Sequence, residues 1–213
     1  MASKEEIRSS HRSRRAALTQ ASLETAGAGI ARHGLRWASS LAGPRDGTFA
    51  LYLGVGSEPP TMPLLRTLHE AGHRVLLPVC EPGLELSWVY WAPESEFVRG
   101  RYAPVQEPAG TRHGVAVMRG VDGIVLPATA LDLTGNRIGQ GGGYYDRFLA
   151  SLAGVLSEAG TRHTTGPLPT AAVVYDDEVL PAGSIPAEPF DRSVAAALTP
   201  GGLLRLGKAR GTG

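Results

Sequence analysis

A chain of 213 residues with 42% hydrophobic and 19% charged side chains can build its own core, which excludes a disordered polypeptide. Its 21 basic and 20 acidic residues leave a net charge of +1, so neither nucleic acid nor a membrane surface is an expected partner. One cysteine, Cys80, excludes a disulfide framework, and a charged N-terminus without long apolar runs points to a cytoplasmic protein; a monomer is expected, although nothing in the sequence fixes the oligomeric state.

Ser3-Lys4-Glu5-Glu6 has the form of a capping box and predicts a helix to about Leu18. Lys4, Arg8, His11 and Arg15 fall on one face of it at spacings of three or four. The ordinary reading is a solvated basic face; the sharper one is that Lys4 and Arg8 reach a polyphosphate bound elsewhere. A second helix, from about Ala21 to Ser40, carries Leu23, Ile30, Leu35, Trp37 and Leu41, interrupted by three glycines and ended by Gly43-Pro44.

Thr48 to Leu53 (TFALYL) reads as a strand covered on both faces. The loop Gly54 to Pro60 follows, and a carboxylate there, Glu58, is placed for binding beyond a strand's carboxyl end. Thr61 is expected to cap a helix carrying Leu64, Leu65 and Leu68, with Pro63 in its first turn and Gly72 at its end. Strands are expected at Arg74–Val79 and Leu86–Trp91, and the strand–helix–strand order predicts a parallel sheet. Trp88, Tyr90 and Trp91 serve the core or line a pocket for a flat ring. Cys80, flanked by apolar residues, reads as a small buried hydrophobe. Residues 92–114 read as a long loop. Further strands are expected at Gly123–Leu126, Ala171–Tyr175 and Val194–Leu198, and a helix at Tyr144–Leu156. Thr161–Thr170 reads as a linker, Ile185–Asp191 as irregular, and the chain beyond Gly201 as a fraying tail to a single domain spanning 1–200.

The most informative stretch runs from Leu126 to Leu149, LPATALDLTGNRIGQGGGYYDRFL. A turn at Thr134–Asn136 precedes Arg137, then Ile138, Gly139, Gln140, Gly141, Gly142 and Gly143, then Tyr144, Tyr145 and Asp146 at a helix start. Dense glycine permits positive φ and close approach of a ligand to the main chain. A helix opening directly after it aims unpaired N–H groups at an anion. No lysine follows, as a P-loop requires, and Tyr144 stands where a dinucleotide motif needs glycine. The alternatives are a tight turn and a phosphate cradle in which Asp146 offers a hard oxygen to magnesium.

GNRIGQGGGYYDRFL resembles the signature of the 5-formyltetrahydrofolate cyclo-ligases, also called methenyltetrahydrofolate synthetases. The resemblance extends in order to Lys4-x-x-x-Arg8, Glu58-x-x-Thr61, Glu107-Pro108-x-Gly110, the VLPATALD run, and Glu188-x-x-Asp191 with Leu198-Thr199-Pro200. It implies a three-layer, Rossmann-like α/β sandwich with a mostly parallel sheet, of the kind shared with ribose-5-phosphate isomerase and CoA-transferase domains. It also implies ATP- and Mg2+-dependent closure of 5-formyltetrahydrofolate, polyglutamylated or not, to 5,10-methenyltetrahydrofolate. By that resemblance Lys4, Arg8 and Arg137 to Tyr145 bind ATP. Leu53, Glu58 and Gln140 to Tyr144 contact the folate. Arg137, Tyr144 and Asp146 carry the chemistry, and Asp146 and Asp191 hold the metal. Gly142 stands where some relatives carry lysine, Phe190 where many carry histidine, and Ala195 where an acidic residue is common. The competing classes are a non-catalytic nucleotide- or folate-binding module and a sugar-phosphate isomerase or CoA-transferase, which needs a catalytic carboxylate at Glu58 or Asp132.

Overall fold

The computed structural model describes residues 3–157, 167–188 and 191–207. Helices α1 (Lys4–Ala16) and α2 (Gln20–Ala42) precede β1 (Thr48–Ala50), α3 (Met62–Glu70), β2 (Arg74–Glu81) and β3 (Glu85–Trp91). Then come β4 (Phe97–Arg99), β5 (Gln106–Pro108), β6 (Gly123–Pro127), β7 (Ala130–Asp132), β8 (Arg137–Ile138) and α4 (Tyr144–Ser157). The chain closes with β9 (Thr170–Val173), β10 (Val179–Leu180), β11 (Ala196–Leu198) and β12 (Leu203–Arg205).

A seven-stranded sheet runs in the order β12-β11-β9-β6-β1-β2-β3. The inner pairings from β11 to β2 are parallel, and β3 and β12 close the edges antiparallel. Strand order reverses between β1 and β6: β1 passes through α3 to β2 on one side, and β6 passes through α4 to β9 on the other. Such a reversal opens a crevice at the carboxyl ends of the two central strands, where open α/β sheets bind ligands.

Alternate strand residues build two cores. Phe49, Leu51, Val75, Leu77, Val125, Ala171 and Val173 face α2 and α3. Ala50, Leu76, Ile124, Leu126, Ala172 and Val174 face α4 and the 3-10 helix at 115–120. This period-2 division of continuous apolar runs is what a sheet covered on both faces requires, and it makes the three layers. A small sheet, β10-β7-β8, carries the chain out of β6 toward α4, and α1 packs against β7.

Local chemistry explains the boundaries. Ser3 and Glu6 form the expected capping box, Thr19 accepts from Ser22 N at the head of α2, and Gly43 ends α2 at φ +65°. The α2 glycines, costly for a helix in isolation, are used for close packing. A Cβ at Gly34 would meet Leu64 Cδ1 at 2.6 Å, and one at Gly29 would meet the Pro200 carbonyl oxygen at 2.3 Å.

Several expectations are corrected. Thr61 does not cap α3; its hydroxyl donates to the Tyr52 carbonyl and accepts from Gly54 N, folding the loop after β1 back on itself. The 92–114 loop contains the β4–β5 hairpin, which folds against β2, and β3 returns along β2 antiparallel. The chain after Gly201 supplies the edge strand β12 before residue 208, so it does not fray there; short, half-exposed and with little apolar pattern, that strand is held by pairing with β11. Residues 161–166, Phe190 and 208–213, which include most of the expected linker and the end of the tail, lie outside the described residues.

Gly29→Ala is expected to destabilise the protein by about 1–3 kcal/mol, because the clash is with backbone and outweighs the gain in helix propensity. Gly154→Ala, on the exposed side of α4 with nothing near its Cβ, should stabilise by up to about 1 kcal/mol. Denaturant midpoints of the two variants should move in opposite directions.

Candidate functional site

The crevice between β1 and β6 is walled by the 54–60 loop on one side and the Leu126–Leu149 stretch on the other. Gln140 Nε2 donates to Glu58 Oε1 at 3.1 Å and so links the two walls. The other Glu58 oxygen accepts from Val55 N at 3.1 Å. Glu58 and Leu53 are both half-buried.

Asp132 holds the turn that delivers the glycine loop. It is 0% exposed. Its Oδ1 accepts from Thr134 N, the Thr134 hydroxyl and Asn136 N, and its Oδ2 accepts from Ile185 N. With both oxygens committed to backbone and turn, Asp132 is a structural carboxylate, which removes it as the catalytic acid of an isomerase.

Past the turn, Arg137 is buried, and its NH2 donates to Asp146 Oδ1 at 2.6 Å. Burial pulls its pKa down against the opposing pull of Asp146. Gly141 and Gly143 adopt φ +96° and +73°, so these two require glycine for conformation; Gly139 and Gly142 do not. A Cβ at Gly141 would meet nothing within 4 Å, so the backbone of this loop faces open space. Arg147 N bonds back to the Gly143 carbonyl, and α4 begins at Tyr144 with Asp146 in its first turn.

Helix α1 lies across this edge. Arg8 Nε donates to the Gly139 carbonyl at 2.9 Å, and Lys4 Nζ reaches Asp191 Oδ2 at 2.7 Å and Glu188 Oε2 at 3.3 Å. Farther along the same face, Arg15 makes a fork to Glu178, Nε to Oε1 at 2.7 Å and NH2 to Oε2 at 2.8 Å, and also donates to the Ala128 carbonyl. The side chains of Arg15 and Glu178 are 3% and 2% exposed. A solvated basic face is therefore ruled out: His11 and Arg15 are buried, and Lys4 and Arg8 are only 18% and 19% exposed. Burial pushes the Glu178 carboxyl up, although Arg15 opposes it; at Asp191 burial is outweighed by Lys4 and Glu188 N, and the carboxyl is lowered.

Around the crevice, the hydroxyls of Tyr52 and Tyr145 are shielded from solvent and have no hydrogen-bond partner among the described residues. Burial raises both phenols, and the Glu58 charge adds to it. Tyr175, whose hydroxyl donates to the Ser57 carbonyl at 3.3 Å, is raised to about 12, mainly by burial. Tyr144 donates to the Tyr102 carbonyl at a long 3.5 Å. Of the three β3 aromatics, Trp88 is fully buried against Phe148, Trp91 belongs to the α2–α3 core, and Tyr90 is exposed beside Arg74 and His113. A cavity of about 560 Å3 adjoins the site behind α1, between Arg15, Tyr175 and Glu178.

No group of three or more metal-ligating side chains occurs among the described residues. Asp146 and Asp191 both act on Arg137 electrostatically. Each commits one oxygen, Asp146 Oδ1 to Arg137 and Asp191 Oδ2 to Lys4, and among the described residues the other carries no hydrogen bond. One or two carboxylates completed by phosphate oxygens and water is the donor set magnesium favours, so the residues present fit that ion. Ala195, beside Asp191 in sequence, is exposed and engages Thr170 through its N–H.

The residues of the candidate site not anticipated are Arg15 as a buried anchor, its partner Glu178, and the shielded phenol of Tyr52. Spacing had placed Arg15 on the same face as Arg8, and Glu178 closes an acidic run directly after a buried strand; the pairing across 163 residues had no local signal.

Fold and site together define an open-sheet α/β protein with a cationic, glycine-lined crevice at its topological switch point. The model of the 5-formyltetrahydrofolate cyclo-ligase family matches residues 1–200, and the chain belongs to that family. It is 38% identical over 162 residues to the 5-formyltetrahydrofolate cyclo-ligase of Mycolicibacterium smegmatis, covering 72% of this chain and 73% of that one. The Escherichia coli K12 enzyme of the same name is 32% identical over 155 residues, covering 72% and 78%. The solved 5,10-methenyltetrahydrofolate synthetase of Aquifex aeolicus superposes with a TM-score of 0.68 at 25% identity, covering 99% of this chain and 96% of that one. That of Mycoplasma pneumoniae gives 0.66 at 17% identity over 93% and 99%, a likeness of fold.

His11 provides a test of how α1 is docked. Its pKa is lowered by burial and by Arg14 and Arg15, against Asp177, so the folded protein holds the ring neutral. Below about 6.5 the unfolded chain takes up a proton that the folded one does not, so stability falls as pH drops from 6.5 through the folded-state pKa. His11→Gln should flatten that decline relative to wild type, read from urea midpoints at pH 7.5, 6.5 and 5.5. An unchanged pH slope would contradict the assignment.

Proposed function

We propose that this chain catalyses the ATP- and magnesium-dependent cyclisation of 5-formyltetrahydrofolate to 5,10-methenyltetrahydrofolate, with release of ADP and phosphate. The observation that carries the reading is the convergence on one glycine loop of cations from opposite parts of the chain. Arg8 is bonded to the Gly139 carbonyl across 131 residues, Arg137 leads into the loop, and Lys4 is paired with Asp191, whose charge acts on Arg137. Membership of the cyclo-ligase family and the names of the relatives support the same reaction.

The chemistry asks little covalent help of the protein. The formyl oxygen attacks the γ-phosphorus of ATP, the bond to the bridging oxygen breaks, and ADP leaves. N10 then bonds to the activated carbon, the C–O bond breaks with its electrons going to phosphate, and N10 gives its proton to solvent as the amidinium ring closes. No nucleophilic side chain is needed. Lys4 and Arg8 hold phosphates, while Arg137 and the amides from Ile138 to Tyr145 neutralise charge that develops during transfer. When bound, magnesium would neutralise phosphate oxygens, held by Asp146 and Asp191. Leu53, Glu58 and Gln140 to Tyr144 position the folate so that the formyl oxygen meets the γ-phosphate over bare backbone.

The test is methenyl absorbance with 5-formyltetrahydrofolate, ATP and magnesium; no rise would sink the proposal. Asp146→Asn should lower turnover about a hundredfold and raise the magnesium concentration needed for half-saturation. Asp191→Asn should cost less, because its engaged oxygen is held twice, by Lys4 and by Glu188 N, whereas that of Asp146 is held only by Arg137. Equal losses in a magnesium titration would overturn that ranking.

A further inference from the structure

Glu107 is a buried acid that none of these roles uses. It lies on β5, in the hairpin folded against β2, and is 3% exposed. Its Oε1 accepts from Cys80 N at 2.8 Å, and among the described residues Oε2 has no hydrogen bond and no cation pairs with the carboxylate. The Cys80 thiol is pushed up to about 12 by burial and by the charges of Glu107 and Glu81. The hairpin backbone closes over the acid, since a Cβ at Gly100 would meet Glu107 Cδ at 2.8 Å. Taking a carboxylate out of water without a cation or a full set of donors is costly, so a buried acid half-served by the protein calls for donors from outside it.

Its position says which donors. Tyr144, which feels the Glu107 charge, directly follows the glycine loop, and the loop passes near the β2–β3 turn, where a Cβ at Gly143 would lie 3.8 Å from Leu84 Cδ1. Cys80 and Leu86 are cross-strand partners, and both pack on the α4 side of the sheet. A flat ring laid there has an apolar floor, Tyr144 and bare glycine backbone at its side, and one carboxylate at its edge. The 2-amino-4-oxo ring of a reduced folate presents two adjacent N–H donors, the ring N3–H and the 2-amino group, which match the two oxygens of a carboxylate.

We propose that Glu107 is the ring-recognition residue of the folate subsite, its carboxylate accepting the N3–H and 2-amino donors of the substrate. This rests on the proposed cyclo-ligase activity and adds a specificity-determining contact to it.

The experiment compares 5-formyltetrahydrofolate with its 2-desamino-2-methyl analogue, using the full chain with ATP and magnesium. Wild type should lose about ten- to a hundredfold in kcat/KM on the analogue, the range of a charged hydrogen bond. Glu107→Ala should raise the folate KM by a similar factor, leave the ATP KM within about twofold, and use the two folates almost equally. Glu107→Gln, which keeps the volume and an acceptor for Cys80 N, should lose part of the discrimination and serves if the alanine variant does not fold. Absence of methenyl product from natural substrate with wild type is failure of the cyclo-ligase reading itself. Turnover of that substrate with no preference over the analogue, or full preference retained in either Glu107 variant, overturns the Glu107 assignment alone.

Discussion

The site depends on how α1 is fastened to the carboxyl edge of the sheet, and the fastening is the buried fork between Arg15 and Glu178. A buried ion pair gains little over an apolar pair of the same volume, because desolvation of both charges offsets their attraction. What it supplies is register. The guanidinium also donates to the Ala128 carbonyl at the end of β6, and Glu178 accepts from Tyr175 N at the end of β9, so one pair ties α1 to two neighbouring strand ends. Two turns earlier on the same helix face sits Arg8, and one more turn earlier sits Lys4. An error in docking at Arg15 would be carried along the rigid helix to the groups that face the glycine loop.

The layered fold was legible because its signals are local and repeated. Continuous apolar runs such as TFALYL admit few alternatives to a strand covered on both faces, and Phe49 and Leu51 do pack opposite to Ala50. The capping box at Ser3 and the stop at Gly43 are short-range chemistry and were readable as such. Thr61 shows the limit. A threonine before a proline-started helix has the composition of a cap, yet its hydroxyl is taken by Tyr52 and Gly54, seven or more residues back. The edge strand β12 and the β4–β5 hairpin are short and partly polar, so pairing rather than pattern creates them.

At the site, residue types and spacing exposed the loop and its cations but not their partners. Arg137 with Asp146 could be suspected from nine residues' separation, whereas Arg8 with Gly139 and Arg15 with Glu178 are products of topology. The dense glycines were read as one device, and they are two: Gly141 and Gly143 carry positive φ, while Gly139 supplies the carbonyl that receives Arg8. The solvated-face reading of α1 failed because periodicity reports which residues share a face and not what covers it.

The cations around the loop are already matched with anions: Lys4 with Asp191, Arg137 with Asp146, Arg8 with Glu5. This matching keeps partly buried charges tolerable in the protein by itself. Under the proposed chemistry the exchange of these contacts is close to balanced. Phosphate oxygens take over Lys4, Arg8 and Arg137, and the carboxylates of Asp146 and Asp191 turn to the metal that accompanies those phosphates. Neither set alone would serve: phosphate without metal would strand two carboxylates beside new negative charge, and metal without phosphate would leave the arginine and lysine facing a cation. The pairing thus favours joint arrival of metal and nucleotide.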